Sequence, residues 1–305
     1  MTRAFSVAAG LALLACGACA SQASGVTDPG PRLGVAALDL VTASGGFPAR
    51  ARVLTLAEER LVQECMARRG HTYWPITPEP VTGSDEQRTV DLPGRRAHGY
   101  GLAVKQPGPP RVGPDEDKPP FQRAMFGDRK REGQLRLPNG STLSFPTSGC
   151  VPEARATLYG DQLLWARVDA VPQVVRTTLR AEGPELTKAR AQWAACMATA
   201  GYRYTDSRAA VADLAAAYQR ENTPALRARE IAVATADGEC ALRAHVPSTE
   251  SALRRAQAQR LPAAERREIS ELAEAHCAAY RRAEGVLGTS TAAPPCPAVF
   301  RADPA

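Results

Sequence analysis

Eight cysteines and four histidines carry most of the reactive potential of this 305-residue chain. Their spacing distinguishes metal binding, thiol redox work and disulfide closure. None of the six cysteines from Cys65 onward stands at C-x-x-C spacing, and His71, His98, His245 and His276 never fall into H-E-x-x-H. His276 adjoins Cys277, but neighbours on a helix point about 100° apart and make a poor thiolate and base pair. There is no G-x-S-x-G elbow, P-loop or G-x-G-x-x-G. Glu64, Glu230, Asp237 and Glu239 supply carboxylates, yet no spacing selects two of them as acid and base. We therefore name no catalytic residue and expect neither metal nor cofactor.

What must position the cysteines is an internal duplication. Cys65, Met66, Ala67, Gly70 and Tyr73 match Cys196, Met197, Ala198, Gly201 and Tyr204 at identical spacing. The first helix is expected to open at Thr55 and Glu58, which have capping-box spacing, and to stop at Gly70. The second is expected from about Glu185, with Leu186, Ala189, Trp193, Cys196, Met197 and Ala200 on its apolar stripe. His71 corresponds to Tyr202, so a ligand role for it would need a site peculiar to one unit. Each copy is followed by one further cysteine. Duplicated units closed within themselves give Cys65 with Cys150, Cys196 with Cys240 and, by remainder, Cys277 with Cys296, one choice among fifteen.

Between Cys65 and Cys150 lies a Pro- and Gly-rich excursion, whereas the second unit is mostly helical. Residues 88–136 carry the whole basic surplus of the chain beyond its first residues. This is a candidate contact for anionic cell-wall polymer or lipid, although Asp115, Glu116 and Asp117 interrupt it and a solvated loop is the plainer reading. Gly99, Tyr100 and Gly101 read as a turn with an aromatic anchor. Leu135 to Leu137 and Thr142 to Phe145, around Pro138, Asn139 and Gly140, predict a hairpin. Residues 153–182 return to helix with breaks expected at Gly160 and Pro172. Further helices are expected over 207–218, 224–244, 249–260 and 262–284, the last with Ile269, Leu272, Ala273, His276 and Tyr280 as its apolar stripe.

The N-terminus is a secretory leader: Arg3, then about a dozen apolar residues, too few to cross a bilayer of roughly 30 Å. Leu13, Leu14, Ala15 and Cys16 resemble the lipobox of bacterial lipoproteins. Cys16 is the preferred lipid acceptor and Cys19 the alternative, favoured by cysteine parity. An ordinary cleaved signal is the simpler possibility. The organisation read from this is a signal peptide over 1–15, a flexible tether over 16–50, a first helical unit with basic loop and hairpin over 51–182, a second unit over 183–247, C-terminal helices over 248–288 and a Pro-rich tail over 289–305.

Trp193, Cys196, Met197, Gly201, Tyr202 and Tyr204, followed by Glu230, Ala234, Asp237 and Cys240, resemble the W-x-x-C-M-x-x-x-G-Y-x-Y pattern of uncharacterised secreted lipoproteins from high-GC actinobacteria. The first unit departs from it at Val62 and His71. The resemblance implies an exported, membrane-tethered, disulfide-stapled helical protein, and it brings no assigned activity.

The formal charge of +6 and the 5% aromatic content do not suit a nucleic-acid binder, and 44% hydrophobic residues suffice for a core. The expected fold is mainly α, a stapled helical head of two related units with a small β-hairpin in the first. The expected function is that of a non-enzymatic envelope adaptor or binding module, lipid-anchored at the outer face of the cell membrane. The alternative is a secreted carboxylate-dependent hydrolase, and a thiol oxidoreductase is the weaker third.

Overall fold

The computed structural model describes residues 32–103, 110–128, 132–288 and 295–297. The expected leader with Cys16 and Cys19, and most of the Pro-rich tail, lie outside them. The described chain is mainly helical with one two-stranded hairpin.

The chain enters the core earlier than the sequence implied. Leu33 is 1% exposed, and its amide and carbonyl both bond the Gln259 side chain. Helix α1 (Val35–Thr42) then buries Ala36, Ala37, Leu40 and Val41. The flexible tether expected through residue 50 is therefore corrected: from Leu33 onward it is core. Next, α2 (Phe47–Arg68) starts with Pro48 in its first turn, where a missing N–H costs nothing. The capping box expected at Thr55 and Glu58 is also corrected, since Thr55 is mid-helix and its hydroxyl donates to the Ala51 carbonyl. Buried Asp39 ties three elements together. It accepts from Arg50 Nη2 at 3.1 Å, the Gly46 amide at 3.0 Å and Arg255 Nη1 at 2.9 Å.

The excursion holds three short helices, α3 (Asp85–Val90), α4 (Leu92–His98) and α5 (Pro119–Phe126). Strands β1 (Glu132–Arg136) and β2 (Thr142–Pro146) form the expected antiparallel hairpin, with Leu135 opposite Leu143. Beyond them run α6 (Cys150–Tyr159) and α7 (Gln162–Thr178), separated at Gly160 and capped by Asp161, whose carboxylate accepts from the Leu164 amide. Pro172, expected as a break, lies inside α7 and does not interrupt it.

The remaining helices follow the sequence reading closely: α8 (Pro184–Thr199), α9 (Ser207–Tyr218), α10 (Pro224–Arg243), α11 (Val246–Ala258) and α12 (Ala263–Leu287). Asp206 and Thr223 cap α9 and α10 through side-chain oxygens. The apolar stripe of α12 packs along α2 and also meets α1, α6 and α7, which makes the largest core. Helix α10 packs on α8, α9 and, from the excursion, α3 and α4. The two units are thus interlocked, not consecutive: part of the first unit's excursion is a wall of the second. Among the described residues no helix is long and apolar enough to cross a membrane.

Candidate functional site

Both motif helices end in the same way. The Gly70 amide donates to the Ala67 carbonyl and the His71 amide to that of Met66; in the second unit Gly201 donates to Ala198 and Tyr202 to Met197. This double closure requires a left-handed residue, and Gly70 and Gly201 have φ of +78° and +88°. One turn before each stop, the cysteine bonds to a neighbouring helix, Cys65 to Cys150 on α6 and Cys196 to Cys240 on α10, with Cα atoms 5.5 and 5.6 Å apart. Cys277 joins Cys296. These are the pairs that closure within each unit predicts. His71 meets Phe121 edge-on at 5.7 Å.

The carboxylates singled out in the sequence divide by role. Glu64 and Glu239 form surface pairs with Arg60 and Arg96. Asp237 and Glu230, both fully buried, are structural nodes. Asp237 Oδ1 accepts from Trp193 Nε1 at 2.8 Å and Ser207 Oγ at 2.7 Å, and Oδ2 accepts from Arg95 Nη1 at 2.6 Å and the Tyr100 hydroxyl at 2.9 Å. Glu230 accepts from the Leu102 amide at 2.8 Å and the Tyr218 hydroxyl at 2.8 Å. The anchor expected of Tyr100 is thus real, and its target is Asp237. Burial and the Asp237 charge push the Tyr100 phenol far above its ordinary range. With four donors on it, Asp237 is occupied in holding the excursion onto α10, which leaves it little capacity to act as a base.

Much of the basic surplus of the excursion is also engaged. Arg88 pairs with Asp85, Arg95 with Asp237, Arg96 with Glu239, Arg111 with Glu116 and Lys118 with Asp115.

A site that no spacing revealed lies between α2 and α7, over α12. It is a groove of about 220 Å³. Glu58 enters from α2, Trp165 and Asp169 from α7, Tyr159 from the end of α6, and His276 from α12. Glu58 Oε1 accepts from Arg155 Nε at 2.9 Å, and that guanidinium lies 3.7 Å over the Trp165 ring. Burial pushes the pKa of the Glu58 carboxyl above its ordinary value, with Arg155 opposing, and loss of solvent around the Asp169 carboxyl pushes its pKa up too, again against Arg155. His276 is 4% exposed, lies tilted against Phe47 with ring centroids 5.2 Å apart, and its Nε2 has no hydrogen-bond partner among the described residues. Burial and the Arg50 charge bring its pKa down to about 3, so the ring is neutral at neutral pH.

No family model, curated protein or solved structure matches this chain. The site therefore has to be read from its own chemistry. Among the described residues no cluster of three histidine, cysteine or acidic side chains is placed to hold a metal ion.

Proposed function

We propose that this is a lipid-anchored protein of the outer face of the cell membrane, whose stapled helical head is a non-enzymatic envelope adaptor or binding module. The observation that carries the reading is the pairing of all six cysteines of the described residues in three bridges, the state favoured by an oxidising compartment. The leader and the lipobox-like Leu13 to Cys16 supply the route and the anchor. The saturated Asp237 and Glu230 suit a rigid platform better than a reactive centre.

Intact mass spectrometry of envelope-extracted protein, with and without reduction, tests this. A lipid adduct on the peptide beginning at Cys16, lost in Cys16→Ala and kept in Cys19→Ala, is expected, together with a gain of two protons per bridge on reduction. An unlipidated chain with free thiols would overturn the proposal.

One observation favours the second reading, a secreted carboxylate-dependent hydrolase: Glu58 and Asp169 share a groove, and burial pushes the pKa of both carboxyls above the ordinary carboxylate value. Turnover of chromogenic glycoside or ester substrates that disappears in Glu58→Gln would select it.

A further inference from the structure

The two duplicated bridges occupy matching positions but meet opposite charges. In each unit the residue three places after the second cysteine, one helical turn on, lies against the sulfur of the first. In the first unit that residue is Glu153, whose Oε2 is 3.3 Å from Cys65 Sγ. In the second it is Arg243, whose Nη1 is 3.4 Å from Cys196 Sγ. Neighbouring charges leave the difference standing. Arg69 pairs with the other oxygen of Glu153 and offsets part of its charge. Arg243 has no carboxylate partner among the described residues, because Glu239, one turn before it on α10, pairs with Arg96 instead. Asp237, deeper on the same helix, is held by Arg95. The bridges also differ in access. Cys65 and Cys150 are 3% and 0% exposed, whereas Cys196 is partly exposed over a Cys240 that is 2% exposed. Of these four cysteines, Cys196 is the one open to solvent, and it is the one beside a free cation.

We infer that the Cys196–Cys240 bridge is a thiol-exchange site, at which an external thiolate attacks Cys196 Sγ beside the Arg243 guanidinium. A bond forms between the incoming sulfur and Cys196 Sγ, the bond from Cys196 to Cys240 breaks, and Cys240 leaves as a thiolate that takes a proton from water. A second thiolate of the same reagent then displaces Cys196. The reagent is oxidised to its disulfide, and the bridge is reduced to two thiols. Negative charge arrives with the attacking sulfur and is spread over three sulfurs in the transition state. A cation beside the central sulfur stabilises that charge, where Glu153 at Cys65 repels it. The C-x-x-C spacing sought in the sequence is no requirement here, since the two cysteines come from different helices, α8 and α10. The inference goes beyond the binding-module reading by giving one of the bridges a reactive role. It needs the bridges formed and does not need the lipid anchor.

The test exposes the folded, disulfide-bonded chain to 2-mercaptoethanesulfonate, an anionic thiol, and to cysteamine, a cationic one, with rates compared at equal thiolate concentration. Alkylation and peptide mass spectrometry follow each bridge separately. Cys196–Cys240 is expected to open at least about tenfold faster than Cys65–Cys150, through a mixed disulfide on Cys196 with Cys240 alkylated. Arg243→Gln should slow that opening about threefold with the anionic thiol and lower the preference for it over cysteamine, the scale of one exposed charge contact. A variant that merely loosened the second unit would open faster, so slowing reads the charge and not the fold. The inference is overturned if Cys65–Cys150 opens as fast, if the adduct lies on Cys240, or if Arg243→Gln opens at an unchanged or higher rate. Chains that lack the bridges before any thiol is added would overturn the proposed function as well, which distinguishes the two failures.

Discussion

The two motif units share a helix stop and a bridge but differ in what the second helix brings. In the first, α6 begins at Cys150 itself, so no helical turn precedes the cysteine. In the second, α10 runs from Pro224 to Cys240 before its bridge, and those turns place Glu230 and Asp237 inward. The second unit can therefore capture a distant segment, residues 95–102, through buried carboxylates, whereas the first packs Phe121, Met125 and Val151 around its bridge and ties α2 to α6 by more exposed pairs, Arg155 with Glu58 and Arg69 with Glu153. A common clasp is the repeated device, and the fully buried Glu230 and Asp237 node lies on the turns of α10 that precede its bridge.

The sharpest way to break this comparison is to delete each bridge. The loops closed are 85 and 44 residues long. The chain-entropy relation gives about 4.6 kcal/mol for Cys65→Ala with Cys150→Ala and about 4.0 kcal/mol for Cys196→Ala with Cys240→Ala. Urea unfolding should show both losses, the first larger by about 0.6 kcal/mol; a reversed order would mean that the second unit's packing depends more on its bridge. Next in size, Asp237→Ala strands Trp193 Nε1, Tyr100 and Ser207, removes the counter-charge of Arg95, and should cost about 3 kcal/mol or more. It should also speed amide exchange across 95–102, where Cys65 and Cys150 substitutions should not.

Gly70→Ala and Gly201→Ala test the shared element. An added Cβ meets nothing within 4 Å at either position, so only the left-handed backbone is penalised. Each should cost about 1 kcal/mol, and equally. The smallest effect at neutral pH comes from His276, in the core beside the first unit. Its folded pKa is depressed from 6.5 to about 3 by burial. The stability it contributes is complete above pH 6.5 and is lost as pH falls from there toward 3, at up to about 1.4 kcal/mol per pH unit. His276→Leu should flatten that part of the stability profile.

The features readable in the sequence were those in which neighbours in the chain are neighbours in space. The Cys-to-Gly spacing, the helix starts at 207 and 224 and the Asn139–Gly140 turn each depend on a few adjacent residues. Helix α1 leaves little trace in the sequence because eight residues between glycines carry too few turns for periodicity, and no side chain caps it. The start of α2 is masked in the sequence because Thr55 and Glu58 imitate a cap, while the helix begins after Gly46 with Pro48 in its first turn. The Tyr100 turn was legible, but its target lies 137 positions away. Glu58, Asp169 and His276 reach one groove from three helices, so no local pattern joins them; the one local sign was Pro172 within an otherwise helical stripe.

Non-reducing peptide mapping of the folded chain tests the clasp most directly. Linked peptides joining Cys65 to Cys150, Cys196 to Cys240 and Cys277 to Cys296 are predicted. Peptides linking Cys65 or Cys150 to Cys196 or Cys240, or free thiols at these positions, would contradict it.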